Sequence, residues 1–164
     1  GIPATYRHGD NSLRFRIYHQ SSHLGDEFLR SVNPPERVNL SYEAIELIYS
    51  REWRGWRVYG GGEYLIHKEP GDLKPMSAHW GIEYRGSKPL VWNGRPIGGV
   101  DMKSFEEHNW AIDTSVKAGL EFGHPNPGQR RLRLMAEWYK GFDPRGQFYN
   151  NKVDYYGLGV SLGF

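Results

Sequence analysis

The side chains best suited to chemistry lie close together near the start of the chain, in residues 18–27. His19 and Ser21 are two residues apart, and on a β-strand that spacing places both side chains on one face. At a rise of about 3.3 Å per residue, their α-carbons would be about 6.6 Å apart, a gap that an imidazole can bridge to a hydroxyl. The pair has the chemistry of a general base beside a serine nucleophile, which is the basis of acyl transfer.

The face on which this pair lies is otherwise apolar. Its preceding positions are Leu13, Phe15 and Ile17. His19 and Ser21 continue the same face, where another aliphatic residue would be expected. Polar groups on an apolar face cost free energy unless they are hydrogen-bonded or used. The alternation therefore raises the hypothesis of an active site on the apolar side of a sheet.

The next predicted strand, residues 38–50, offers a third member for this site. Asn39 and Glu43 share a face with Ile45, Leu47 and Tyr49, so both are expected on the apolar side. Either Asn39 or Glu43 would fix the tautomer of the His19 ring, which would take the proton of Ser21. A main-chain or loop donor would stabilise the oxyanion.

Two other interpretations of residues 18–27 are open. In the first, His19, His23, Asp26 and Glu27 bind a metal ion, although two histidines four residues apart on a strand are about 13 Å apart. Asp26 and Glu27 have the hard oxygen ligands that calcium prefers, but an acidic pair in a loop is usually just solvated. In the second, the protein is a non-enzymatic structural barrel or a small pore.

Composition limits the kinds of protein that the elements can build. The 164 residues suffice for a single domain, residues 1–164, and contain 21 Gly, no Cys and 15% aromatic residues. No run of about 18 apolar residues is present, so no membrane-spanning helix is predicted. The net charge of +2 is too small to favour nucleic acid as a partner. The first residue is Gly1 and not Met, so we expect a processed product or a fragment.

Period-2 segments separated by Gly, Pro, Asn and Asp recur along the whole chain. Most are about 10 to 14 residues long, whereas a tilted membrane strand needs about 9–11 residues and a globular strand is nearer 5–6. Eight strands are predicted, at residues 12–24, 38–50, 54–67, 77–86, 96–106, 109–123, 130–142 and 152–164.

The two faces of these segments differ in a way that favours a membrane barrel. In the last segment the apolar face is Tyr156, Leu158, Val160, Leu162 and Phe164, and the other face is mostly Gly. Elsewhere the polar faces carry charges of both signs, as a wet barrel interior does, and Trp and Tyr lie towards the strand ends. The sequence predicts an all-β, antiparallel transmembrane β-barrel, with a soluble barrel or sandwich as the alternative.

The ending at residues 155–164 resembles the C-terminal signal of bacterial outer-membrane barrels, which alternates apolar residues and ends in Phe. The resemblance implies an outer-membrane location, recognition by the barrel-assembly machinery, and Phe164 as the natural periplasmic end. Any missing part would then precede Gly1. The eight strands would close by themselves, or would be the C-terminal part of a twelve-stranded barrel.

The His19-x-Ser21 motif resembles that of outer-membrane phospholipase A and the lipid A deacylases. In those families the site faces lipid, and an Asn or a Glu on the next strand orients the histidine, which points to Asn39 or Glu43 here. The resemblance implies hydrolysis of lipid acyl esters. From the phospholipase it also implies a homodimer and a calcium ion, for which Asp26 and Glu27 are the candidate ligands.

The run of residues 18–27 as a whole is similar to an uncharacterised family of bacterial envelope proteins, known only as a domain of unknown function. Members of that family are longer than this chain, which supports the expectation of a fragment. Counting back from Phe164 places the loop at 25–37 outside the cell. The same count gives a short external connection at 107–108, and the register predicts that His67 and His79 face the interior.

Overall fold

The computed structural model describes residues 1–22, 40–123, 129–144 and 146–163, with no account of the Gln147 side chain. Within these ranges the chain forms one antiparallel sheet of nine strands in sequence order. The strands are β1 (Ile2–His8), β2 (Asn11–Ser22), β3 (Leu40–Trp53), β4 (Trp56–Glu69), β5 (Met76–Arg85), β6 (Arg95–Phe105), β7 (Ile112–Gly123), β8 (Arg131–Phe142) and β9 (Lys152–Gly163).

Two short 3₁₀ helices, Glu106–His108 and Gly146–Phe148, lie in the connections after β6 and β8. Among the described residues, no helix has the length and apolar character required to cross a membrane.

The predicted all-β, antiparallel fold is confirmed, and each of the eight predicted strands has its counterpart in β2–β9. The prediction missed β1, which is short and contains Pro3. Proline cannot donate to a strand ladder and is confined mainly to edge strands, and β1 is the first strand of the sheet. The edge position of β1 explains why the strand tolerates a proline. That proline, together with the shortness of the strand, explains why the sequence did not predict it.

The connection between β6 and β7 is longer than predicted. Asn109 and Trp110 have φ angles of +52° and +61°, which are incompatible with a strand, so β7 begins only at Ile112. The connection therefore spans residues 106–111, and the predicted two-residue loop at 107–108 is wrong.

At one end of the sheet, tight turns join two pairs of neighbouring strands. Gly9 and Asp10 link β1 to β2, and Arg54 and Gly55 link β3 to β4 between the paired residues Trp53 and Trp56. Arg54 and Gly55 have φ angles of +49° and +85°, as two-residue hairpin turns require. Such turns fix the register of the strands that they join.

The inner face of the sheet holds a network of ion pairs. Glu121 on β7 accepts hydrogen bonds from Arg85 and Arg95 through Oε1, at 2.6 and 3.1 Å, and from Arg133 through Oε2, at 2.9 Å. Its side chain is 0% exposed. Arg85 lies on β5, so its bond to Glu121 passes over β6, which requires a concave inner surface.

At the end opposite the tight turns, a small apolar core fills the space enclosed by the sheet. Leu40, Ala44, Leu65 and Leu73 are buried there, with Tyr149 packed against them. The connection between β8 and β9 reaches this core, because Gly146 lies so close to Ser22 that an added Cβ would be 2.6 Å from the serine Cβ. The sheet therefore curls until this connection meets β2, as in a barrel, while β1 and β9 remain its two edges.

The outer face is apolar and exposed along most strands. Leu158 on β9 is 91% exposed, and Tyr156, Val160 and Leu162 on the same face are exposed as well. The exposed aliphatic residues of this face include Leu13, Ile17, Leu47, Val58, Ile66, Ile82, Ile112, Leu134, Val160 and Leu162. Period-2 alternation thus divides the sheet into an ionic inside and an apolar outside.

The network around Glu121 generates a stability prediction. Glu121→Ala should lower the free energy of unfolding by about 2 kcal/mol, because three arginines lose the carboxylate that they share. The cost is moderated because Arg85 and Arg133 are 41% and 43% exposed and regain water. Equilibrium urea unfolding followed by tryptophan fluorescence measures it. The control is Glu83→Ala, in an exposed pair with Arg57, and should cost at most about 1 kcal/mol. Equal losses in the two variants would contradict a special role for Glu121.

Candidate functional site

Strand pairing determines where the candidate catalytic residues lie. His19 on β2 is directly opposite Glu43 on β3, and Ser21 is directly opposite Ser41. The neighbouring pair on this face is Ile17 and Ile45, so the four polar residues continue the apolar outer face. The structure thus brings His19 and Glu43 together and places Ser21 two residues nearer the end of β2.

A short hydrogen bond joins His19 to Glu43, with 2.7 Å between the imidazole Nδ1 and the carboxylate Oε1. An ionised carboxylate only accepts hydrogen bonds, so Nδ1 carries the proton. The Nε2 atom of a neutral His19 ring is then unprotonated and able to take a proton. A carboxylate that fixes this tautomer is the third member of a serine–histidine–carboxylate arrangement.

The second oxygen of Glu43 binds another histidine. Nδ1 of His67, on β4, lies 2.9 Å from Oε2. We call His19, Glu43 and His67 the His-Glu-His cluster. The cluster spans three adjacent strands, with the carboxylate in the middle and one imidazole on each side.

A β-bulge brings His67 into the cluster. Ala44 pairs with Leu65, but Glu43 pairs with His67, so Ile66 is the extra residue of β4. Regular alternation would have turned His67 inward, and the prediction that it faces the interior is therefore wrong. No feature of the sequence predicts this bulge. His79, in contrast, lies on the inner face, where its Nε2 is 2.6 Å from Asp101.

The link between the nucleophile and the base is the weaker part of the arrangement. Among the described residues, no hydrogen bond joins the Ser21 hydroxyl to the His19 ring. Catalytic hydrogen bonds are often long without substrate and shorten only in the reacting complex. The geometry therefore provides an oriented histidine beside a serine.

Several predicted site residues lie outside the described ranges. These are His23, Asp26, Glu27 and Asn39, together with Phe164 at the end of the chain. Of the two candidates for orienting His19, the structure describes only Glu43. Within the described ranges, no group of three His, Asp or Glu residues is arranged to hold a metal ion.

In the part of the chain that the structure describes, at least two cavities lie on the inner side of the sheet. The larger, of about 970 Å³, lies towards the tight turns and is lined by charged residues such as Arg57, Glu83 and Lys117. The smaller, of about 500 Å³, adjoins the apolar core. Neither is lined by the His-Glu-His cluster in the described part of the chain, so the cluster is a surface site.

Comparison with known proteins gives one match. A protein family described as "Protein of unknown function (DUF1207)" matches residues 1–164. No curated protein and no solved structure matches the chain. The resemblance of the His19-x-Ser21 motif to outer-membrane phospholipase A and the lipid A deacylases therefore gains no support from these comparisons.

The bulge can be tested by disulfide formation in this cysteine-free chain. In a variant with Glu43→Cys and His67→Cys, the two thiols should oxidise to a disulfide, since directly opposite residues have the required separation. In the control, Tyr42→Cys with His67→Cys, the side chains lie on opposite faces and should remain reduced. Mass spectrometry after thiol alkylation distinguishes the two states. A disulfide in the control alone would show regular pairing without the bulge.

Proposed function

The chain belongs to the DUF1207 family of proteins of unknown function. We propose that it is a bacterial outer-membrane β-barrel with a lipid-facing ester hydrolase site. Ser21 is the nucleophile, His19 the general base and Glu43 the residue that orients the base. The observation that carries the proposal is the hydrogen bond from His19 Nδ1 to Glu43, formed on the apolar outer face.

The outer face supports the membrane location. A soluble monomer rarely exposes apolar patches larger than a few hundred Å². Here exposed apolar residues continue along β2, β3, β4 and β9. Lipid removes the cost of this exposure, since hydrocarbon solvates aliphatic side chains and water does not.

Aromatic residues at both ends of the outer face also support a membrane location. Trp and Tyr prefer the interface between lipid and water, because the ring is apolar and its N–H or O–H is polar. Near the tight turns the exposed aromatics include Tyr6, Tyr49, Trp53 and Trp56, and towards the opposite end they include Tyr64, Trp110 and Tyr156. Strands β2–β9 are long enough to connect two such interfaces.

The inner ion pairs complete the comparison with soluble proteins. A soluble β-sandwich has apolar residues between its sheets and charges outside. This sheet has the reverse arrangement, with Glu121 and its three arginines on the concave side. Charges inside and aliphatic side chains outside are typical of outer-membrane barrels.

The proposed reaction is hydrolysis of an acyl ester through a covalent intermediate. His19 Nε2 takes the Ser21 proton as the serine Oγ bonds to the ester carbonyl carbon. The ester C–O bond then breaks, and the imidazolium returns its proton to the departing alcohol oxygen. Water, activated by the same ring, releases the fatty acid from Ser21. Because the site faces outward near one rim, its proposed substrates are the lipids of the outer membrane.

A non-enzymatic structural barrel is the second candidate function. It is favoured by the absence of a Ser21–His19 hydrogen bond in the described residues. In that case the His-Glu-His cluster would satisfy polar groups at the membrane rim without catalysis. The two candidates share the membrane location and differ only in turnover.

The membrane location is tested by placing a lysine on each face of β9. Leu158→Lys should lower the free energy of unfolding in phospholipid vesicles by about 2–4 kcal/mol, the cost of a lysine facing lipid near mid-membrane. Gly159→Lys is the control, since a Cβ at this inner position meets no atom within 4 Å. Urea titration of vesicle-bound protein measures both variants. Equal stability of the two variants, as for two exposed sites in water, would contradict the membrane location.

The hydrolase function is tested by refolding the protein in detergent and measuring the release of fatty acid from phospholipid and from a short-chain ester. Ser21→Ala and His19→Ala should each reduce kcat about 10³-fold or more, because each removes a member of one catalytic unit. Ser41→Ala is the matched control and should retain activity. Hydrolysis unchanged in the Ser21 and His19 variants would reject the proposed site, and no hydrolysis by the wild type would leave only the non-enzymatic barrel.

A further inference from the structure

We infer that His67 is a positioning residue of the proposed hydrolase site, acting on His19 through Glu43. This inference rests on the proposed function and adds to it a residue that the His-x-Ser motif does not contain. The observation that carries it is the carboxylate of Glu43, which accepts from His19 through one oxygen and from His67 through the other.

The contact with Glu43 defines what His67 can do. Its Nδ1 donates to Glu43, and its ring lies on β4, two strands away from Ser21 on β2. Strands are about 4.8 Å apart, so the two backbones are separated by about 10 Å. His67 is therefore too far away to be the base for Ser21, and its effect passes through the carboxylate.

Two donors restrict a carboxylate more than one donor does. Held only by His19, the Glu43 side chain could rotate about its terminal bond and exchange its oxygens, since it is 40% exposed. The second bond, to His67, fixes the plane of the carboxylate between the two rings. A fixed plane keeps Oε1 in line with His19 Nδ1 and so keeps the ring in one tautomer and one orientation.

The β-bulge is a second observation that points to function. It leaves Ile66 without a partner and interrupts the β3–β4 ladder at Glu43. Its result is that His67 lies on the outer face beside Glu43, whereas Leu65, which precedes the bulge and pairs regularly with Ala44, stays buried in the apolar core. Bulges of this kind occur often beside active sites, where they redirect a side chain.

His67 itself is held only lightly by its surroundings. Its side chain is 84% exposed, and Glu43 is its hydrogen-bonding partner. Replacing it should therefore disturb the fold little, so a change in activity can be assigned to the cluster.

The kinetic test compares His67→Leu with His67→Asn in the detergent-refolded protein. His67→Leu should lower kcat for ester hydrolysis about tenfold to a hundredfold with KM unchanged, the cost of a catalytic group misplaced by up to about 1 Å. His67→Asn keeps an N–H donor at the position of Nδ1 and should restore most of the activity. Tyr64→Leu, on the same strand and face, is the control and should match the wild type. Activity of His67→Leu equal to that of the wild type would overturn the inference, as would an equal loss in His67→Asn.

A measurement without substrate separates this inference from the proposed function. In ¹⁵N-histidine spectra of the wild type, the neutral form of His19 should be the Nδ1–H tautomer, and in His67→Leu it should become a mixture of tautomers. An unchanged His19 spectrum in His67→Leu would overturn the positioning role, whatever the activity. A changed spectrum in a protein with no esterase activity would retain the positioning role and reject the hydrolase function.

Discussion

The shared carboxylate of Glu121 is the interaction on which the arrangement of the sheet depends. Three arginines from β5, β6 and β8 converge on it from the concave side. Ion pairs of this kind are stable only where each charge has its partner. Because side chains alternate along a strand, collecting the charges on one side leaves the aliphatic residues on the other. The apolar exterior is thus the counterpart of the ionic interior.

The same alternation creates the candidate site and is then broken to complete it. Regular pairing of β2 with β3 places His19 opposite Glu43. The apolar pattern of this face would predict two aliphatic residues at these positions. Regular pairing of β3 with β4 would leave Glu43 with one histidine only. The bulge at Ile66, opposite the step from Glu43 to Ala44, supplies the second histidine, while Leu65 keeps its regular pairing with Ala44 and lies in the apolar core. One extra residue therefore completes the cluster on the outer face and leaves the pairing of Leu65 unchanged.

The fold could be predicted from the sequence to the extent that period-2 patterns are long and regular. The face Leu13, Phe15, Ile17 predicted the position of His19, and the alternation of the next strand left Asn39 and Glu43 as its two candidate partners; the structure pairs His19 with Glu43. β1 was missed because it has few residues and a proline. His67 could not be found, because a bulge shifts register by one residue and leaves the amino-acid pattern unchanged. The start of β7 was misjudged because Asn109 and Trp110 continue the alternation of that strand while their backbone turns away.

The order of the strands in the sheet has a consequence for how the chain assembles. Each strand pairs with the strands before and after it in sequence, from β1 to β9. Closing the loop between sequential strands costs little chain entropy, and no pairing has to wait for a distant segment. The sheet can therefore form one hairpin at a time, beginning with any hairpin. Each new strand pairs with the free edge of the strands that have already formed.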